Sequence, residues 1–286
     1  KYYPWIGRTY HMGRPYYCGA TSFKNQLGII CFITSLYFIW TLLYNKISSN
    51  RWHKTDNKIL FLILAMNFWL FSIVDSATSL LCFLVGTIIL FIARFPVFFR
   101  KKRNLIPAII VSVIIIVGLE FSLNLSSVLI TMIGRRPDLT DRVPIWNALI
   151  GLARNPIIGT GYMSFWVGSY LPVIWAAIGG EVTQAHNGYL EVYLELGIIG
   201  ITLLITKLLS GIAHIQKEIK NNYSFSVLKI VFVISILIHN WAEASFNAPS
   251  TLWTIIFISI FRFQSKSQTL YRKQQLKPSF RPYQET

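Results

Sequence analysis

Long apolar runs separated by short, basic polar segments constrain this chain more than any other feature of its sequence. A helix needs about 20 mostly apolar residues to cross the hydrocarbon of a bilayer. Runs approaching or reaching that length occupy residues 27–44, 59–74, 80–95, 105–123, 189–213, 227–241 and 252–263. Hydrophobic residues make up 53% of the chain and charged residues only 13%, so a water-soluble core with face-patterned helices is not the expectation. The expected fold class is all-α: a polytopic transmembrane helix bundle of about seven spans, with a large external loop containing short helices.

The polar segments then divide the chain. An external N-terminal segment covers 1–26, transmembrane helices one to four cover 27–123, and a large external loop covers 124–188. Transmembrane helices five to seven cover 189–263, and a basic cytoplasmic tail covers 264–286. Lysines and arginines concentrate in cytoplasmic loops of membrane proteins. Placing 45–58, 94–104, 214–226 and the tail inside puts roughly nineteen of the 27 lysines and arginines there or at inner helix ends, without contradiction over seven crossings. The formal charge of +16 is thus read as topology and not as a nucleic-acid surface, because no basic helix interleaved with stacking aromatics is present. Three cysteines, Cys18, Cys31 and Cys82, form neither a CxxC nor a Cys/His metal spacing, so neither a disulfide nor a zinc site is expected. The chain starts at Lys1 without a signal-peptide pattern and is expected to be the C-terminal piece of a longer protein.

Polar chemistry collects between 133 and 205. Arg135, Arg136, Arg142 and Arg154 lie in the external loop, against the topological bias. They suit either ion pairs with Asp138, Asp141 and Glu181 or an anion site, since a guanidinium fork binds phosphate oxygens bidentately. His186 lies where polar loop becomes apolar helix. A helix starting near Asn187 would aim its positive end at the imidazole and keep it neutral, as a general base requires. The competing reading is a headgroup-level histidine bonded to a loop carbonyl. Glu191 and Glu195 are four apart and share one helix face; a carboxylate at membrane depth needs a partner or a polar cavity. Glu243 poses the same question near the outer end of the sixth run. Tyr189 and Tyr193 suit an interfacial aromatic belt. Arg14, Lys24 and Asn25 precede the first run, where Lys24 alone would be an ordinary interface anchor.

Six segments together resemble a known family: GATSFKNQLG at 19–28, DSATSLL at 75–81, GRRPDLTDRVPIW at 134–146, NPIIGTGYMSFW at 155–166, AHNGYLEVYLELGIIG at 185–200 and NWAEAS at 240–245. They stand in the order found in O-antigen ligases and the related O-antigen and exopolysaccharide polymerases. The resemblance covers roughly residues 13–260. It implies a multi-pass protein of the bacterial inner membrane with its active site facing the periplasm. The implied reaction moves a glycan from undecaprenyl pyrophosphate to an acceptor hydroxyl, on another glycan or on lipid A core, without metal or cofactor. The partners implied are that lipid-linked donor, the acceptor and membrane lipids, with no nucleic acid.

Carried over by position, the resemblance makes His186 the catalytic base. It makes Arg142, Arg135, Arg14 and Lys24 the pyrophosphate-binding groups. Asn187, Glu191, Glu195, Trp146 and Glu243 are then supporting residues. The chain departs from the family pattern at Thr140-Asp141-Arg142, where many relatives have TGR, and at Ala77, where many carry a basic residue. The alternatives are a translocase for lipid-linked oligosaccharide and a non-catalytic subunit of a polysaccharide export complex.

Overall fold

The computed structural model describes residues 7–11, 14–44, 57–74, 76–94, 142–246 and 249–261. The expected fourth span at 105–123, Arg135, Arg136 and the tail lie outside the described residues. A two-stranded antiparallel hairpin comes first: β1 (Arg8–His11) and β2 (Arg14–Tyr17), with Arg8 opposite Tyr17 and His11 opposite Arg14. Three helices follow, α1 (Lys24–Tyr44), α2 (Asn57–Val74) and α3 (Ala77–Ala93). Beyond them come the short helix α4 (Arg142–Gly151), a 3-10 turn at Gly168–Tyr170 and the short helix α5 (Leu171–Ile178). The chain closes with α6 (Gly188–Glu218), α7 (Tyr223–Ala242) and α8 (Thr251–Ile260).

Four of these, α1, α2, α6 and α7, are long and apolar enough to cross a bilayer, while α3 and α8 are apolar but shorter. The chain is a multi-pass, largely helical membrane protein, as the apolar runs predict. The hairpin at 8–17 lies in the external N-terminal segment, where the sequence carries no expectation of a strand.

Helix α7 is the most enclosed of the four and packs against α1, α3, α6 and α8. Lipid tails are as apolar as leucine, so close approach and internal hydrogen bonds hold such helices together more than hydrophobicity does. At the middle of the bundle Cys82 Sγ donates to Ser235 O and Ser235 Oγ donates to Cys82 O, both at 3.3 Å, pinning α3 to α7. Tyr223 Oη donates to Ala93 O at 2.6 Å and Trp40 Nε1 to Ser224 O at 2.8 Å, closing the end where α1 and α3 finish and α7 begins.

The opposite end gathers the starts of α1, α3, α6 and α8 and the ends of α2 and α7. Here Gly28 of α1 lies so close to α3 that a Cβ would meet Ser79 Oγ at 2.6 Å and Ser76 Cβ at 2.9 Å. The GATSFKNQLG and DSATSLL segments thus meet as a small-residue helix contact.

Candidate active site

Asn187 fixes the start of α6. Its side chain accepts from Tyr189 N at 3.0 Å and Leu190 N at 3.1 Å, satisfying two of the donors that a helix N-terminus leaves open. Gly188 follows, where a Cβ would stand 2.2 Å from Asn240 Oδ1, so the start of α6 touches the end of α7. Asn240 turns that end, with Nδ2 donating to Ile236 O at 3.0 Å and Oδ1 accepting from Ser245 N at 2.9 Å. Gly188 N donates to Glu243 O at 3.2 Å. The AHNG and NWAEAS segments are therefore one joint.

His186 sits immediately before the cap and is held from both sides. Ala185 N donates to Glu191 Oε1 at 2.5 Å, and Ala185 O accepts from Trp146 Nε1 at 2.8 Å. Glu191 Oε2 in turn accepts from Trp166 Nε1 at 2.8 Å. This cradle holds the His186 backbone at φ 50°, in the left-handed region.

The imidazole meets a carboxylate. His186 Nδ1 lies 3.3 Å from Glu243 Oε2, and Arg142 Nη2 donates to Glu243 Oε1 at 3.3 Å while Nη1 donates to Ala242 O. Asn25 Nδ2 also donates to Glu243 Oε1, at 2.9 Å. Glu243 is thus shared by α1, α4, the loop before α6 and the end of α7. Burial pushes its carboxyl pKa up, but the bond from His186 and the charge of Arg142 outweigh burial and hold it below the ordinary carboxylate value.

Gln184 Nε2 also lies 3.3 Å from His186 Nδ1. Nδ1 can donate to Glu243 or accept from Gln184; in the tautomer that donates to the carboxylate, Nε2 carries the lone pair. This arrangement can accept a proton at Nε2 while the carboxylate orients the ring and balances the charge it gains. The side chain of His186 is 35% exposed, against 10% for Glu243 and 15% for Arg142, so the histidine is the accessible member. His239, one turn before Glu243, is buried against the Phe32 ring at 6.0 Å and offers no comparable access.

Of the residues expected from sequence, the structure brings His186, Arg142, Glu243, Asn187, Glu191 and Trp146 together. Arg142 and Trp146 are one turn apart on α4, and Trp146 also packs edge-on to Trp241 at 5.8 Å. Arg142 pairs with Glu243 and not with Glu181, while Asp138 and Asp141 lie outside the described residues. Glu195 is buried lower on α6, where its carbonyl accepts from Gly161 N at 2.8 Å. Lys24 is turned onto the Tyr16 ring, 4.1 Å from its centroid. Of Arg14 the structure describes the backbone, in β2 opposite His11.

Tyr189 is a correction to the belt reading. Its hydroxyl donates to Leu237 O at 2.9 Å and its ring packs on Phe246, because it faces α7. Gln184 and Trp166 join the site with no signal of their own in the sequence, and Asn25, singled out with Arg14 and Lys24, joins it through Glu243. Asn25 and Trp166 belong to the family-like segments 19–28 and 155–166, but nothing local names their partners. A shallow groove of about 300 Å³ between α4 and α5 is lined by Pro144, Ile145, Ala148, Ala177 and Ile178, without any member of the polar cluster.

This fold and polar joint place the chain among membrane proteins with an accessible histidine–carboxylate–arginine group at one end of a helix bundle. A family model described as O-antigen ligase matches residues 59–205, just over half of the sequence, and the chain belongs to that family. Among curated proteins it is similar to one of Rickettsia felis named "Putative polysaccharide ligase", 26% identical over 84% of this chain and 60% of the relative. A protein of the same name in Rickettsia bellii is 25% identical over 80% of this chain and 55% of its own length. One in Rickettsia conorii is 26% identical over 67% and 48%. The chain therefore spans about half to three-fifths of the length of these relatives. No solved structure matches it.

Proposed function

We propose that this chain carries the catalytic joint of an inner-membrane glycosyltransferase. It would move a glycan from undecaprenyl pyrophosphate to an acceptor hydroxyl on another glycan or on lipid A core, at the periplasmic face. The observation that carries this reading is His186 Nδ1 held by Glu243, with Arg142 on the other carboxylate oxygen.

In the proposed step the acceptor oxygen bonds to the anomeric carbon as the bond from that carbon to the diphosphate breaks. The electron pair leaves with undecaprenyl pyrophosphate, the acceptor proton passes to His186 Nε2, and the anomeric configuration inverts. Diphosphate is already a good leaving group, so neutralising its growing charge and orienting two sugars are the remaining tasks. Arg142 has N–H donors to spare beyond Ala242 O and Glu243 for one phosphate oxygen. Arg135, Arg14 and Lys24 are assigned to the same diphosphate by family position alone.

The test is transfer in proteoliposomes from a defined lipid-linked donor with a labelled glycan. His186→Ala is expected to lower transfer about 10²–10⁴-fold, the usual weight of a general base, with the protein still folded. Product at the unsubstituted rate would remove the role. In cells the variant should leave donor in the periplasmic leaflet, whereas accumulation in the cytoplasmic leaflet would favour the translocase.

A further inference from the structure

The segment after α4 is unlike a loop in water. Its backbone donors from 157 to 161 are all used inside the protein. Asn155 Oδ1 accepts from Ile157 N at 2.9 Å and Ile158 N at 3.2 Å, and Asn155 O accepts from Gly159 N at 2.9 Å. Thr160 N donates to Leu194 O at 3.1 Å and Gly161 N to Glu195 O at 2.8 Å.

Helix α6 is broken at the matching point, where Gly197 has φ 62° and ψ −160°. The donors freed on the far side of the break go to the loop: Ile198 N to Pro156 O at 2.8 Å and Ile199 N to Ile157 O at 3.1 Å. Loop and break interlock so closely that a Cβ on Gly159 would lie 2.3 Å from the Glu195 carbonyl, and one on Gly197 2.3 Å from that of Ile157.

The side chains this framework turns outward are Ile157, Ile158, Tyr162 and Met163, each more than half exposed. External loops normally show polar side chains and leave backbone groups to water. From 157 to 161 this one keeps its backbone donors inside the protein and turns apolar side chains out. Irregular backbone is tolerated at membrane depth only where its polar groups are satisfied by protein or line a water-filled cavity.

Ile198, Ile199 and Leu203 of α6, just beyond the break that the loop fills, are exposed too, on a helix able to span the bilayer. Gly197 lies about 14 Å along α6 from Gly188 at 1.5 Å per residue, which is within one leaflet.

We propose that residues 155–163 form a wedge embedded in the hydrocarbon of the leaflet that α6 enters at Gly188. There Ile157, Ile158, Tyr162 and Met163 contact the acyl chains of the bilayer. The inference is independent of the chemistry assigned to His186. It gives this part of the expected external loop a place inside the membrane, on the lipid-facing side of the helix that carries the site.

Nitroxide labels at Ile158→Cys and Met163→Cys, in the full chain reconstituted into phosphatidylethanolamine–phosphatidylglycerol vesicles, test it. Native Cys18, Cys31 and Cys82 are buried, and the unsubstituted protein gives the background. Collisions with oxygen, which partitions into hydrocarbon, should exceed those with a water-soluble nickel chelate severalfold at both positions, and Glu181→Cys should show the opposite order. Nickel access at 158 equal to that at 181 would overturn the wedge, and so would shielding from both reagents, which would mean cover by protein. Ile158→Lys, read by Tm in the same vesicles, provides a second check. A drop of several degrees supports the wedge, and an unchanged Tm contradicts it.

Discussion

His186 occupies a backbone conformation that suits it poorly. A left-handed φ costs an L residue about 1–2 kcal/mol, and φ is 50° here because Ala185 is bonded on both sides and Asn187 caps α6. The side chain must justify the position. His186→Gly is expected to be more stable than His186→Ala by about 1 kcal/mol in thermal or denaturant unfolding, while both lose transfer. Equal stability would mean that the cradle relaxes and imposes no strain. Glu243 gives the second prediction at this scale. Its carboxyl is held below the ordinary value, so it contributes stability above its unfolded-state pKa of about 4.3 and loses that contribution as pH falls through the lower folded value. The Tm gap between the unsubstituted protein and Glu243→Gln should be full near neutral pH and close as the solution is acidified below about pH 4. A gap independent of pH would show that charge is not what Glu243 supplies.

Among the elements, the break in α6 is the least forgiving feature. Gly197→Ala asks an L residue to adopt φ 62° and drives a Cβ into the Ile157 carbonyl. It should cost about 3 kcal/mol, read as a loss of thermal stability and of monodisperse protein in detergent. Little of this was legible beforehand. The run 189–213 reads as one continuous span because glycine is common in membrane helices. Only the backbone of a segment 40 residues earlier makes Gly197 a break. By contrast, the helices themselves were legible, since a run of apolar residues has to end where polar residues begin: 59–74 was expected and α2 is Asn57–Val74. The start of α6 was legible from Asn187, whose side chain prefers a cap to a helix interior. The hairpin was not, because two four-residue strands carry too short an alternation to read as sheet. Nor was the pairing of Asn25 with Glu243, which lies 218 residues away and leaves no local trace.

Across the whole molecule, the polar joint draws on both ends of the described chain. The family match at 59–205 includes Arg142 and His186, yet Asn25 and Glu243, which hold them in one group, lie outside it. The joint therefore depends on the bundle bringing the start of α1 to the end of α7, and α7 is the helix that touches α1, α3, α6 and α8. If the helices alternate direction across the bilayer, residues beside the joint and residues in the α6–α7 turn must face opposite compartments. Single cysteines at Ser22, Glu181 and Asn221, each exposed, make this measurable. With a membrane-impermeant maleimide on intact spheroplasts, Ser22→Cys and Glu181→Cys should label at once, and Asn221→Cys only after permeabilisation. Labelling of Asn221→Cys together with Glu181→Cys would mean that α6 does not cross. The joint would then have no defined side of the membrane from which a lipid-linked donor could approach it, and the proposed reaction would fail with the topology.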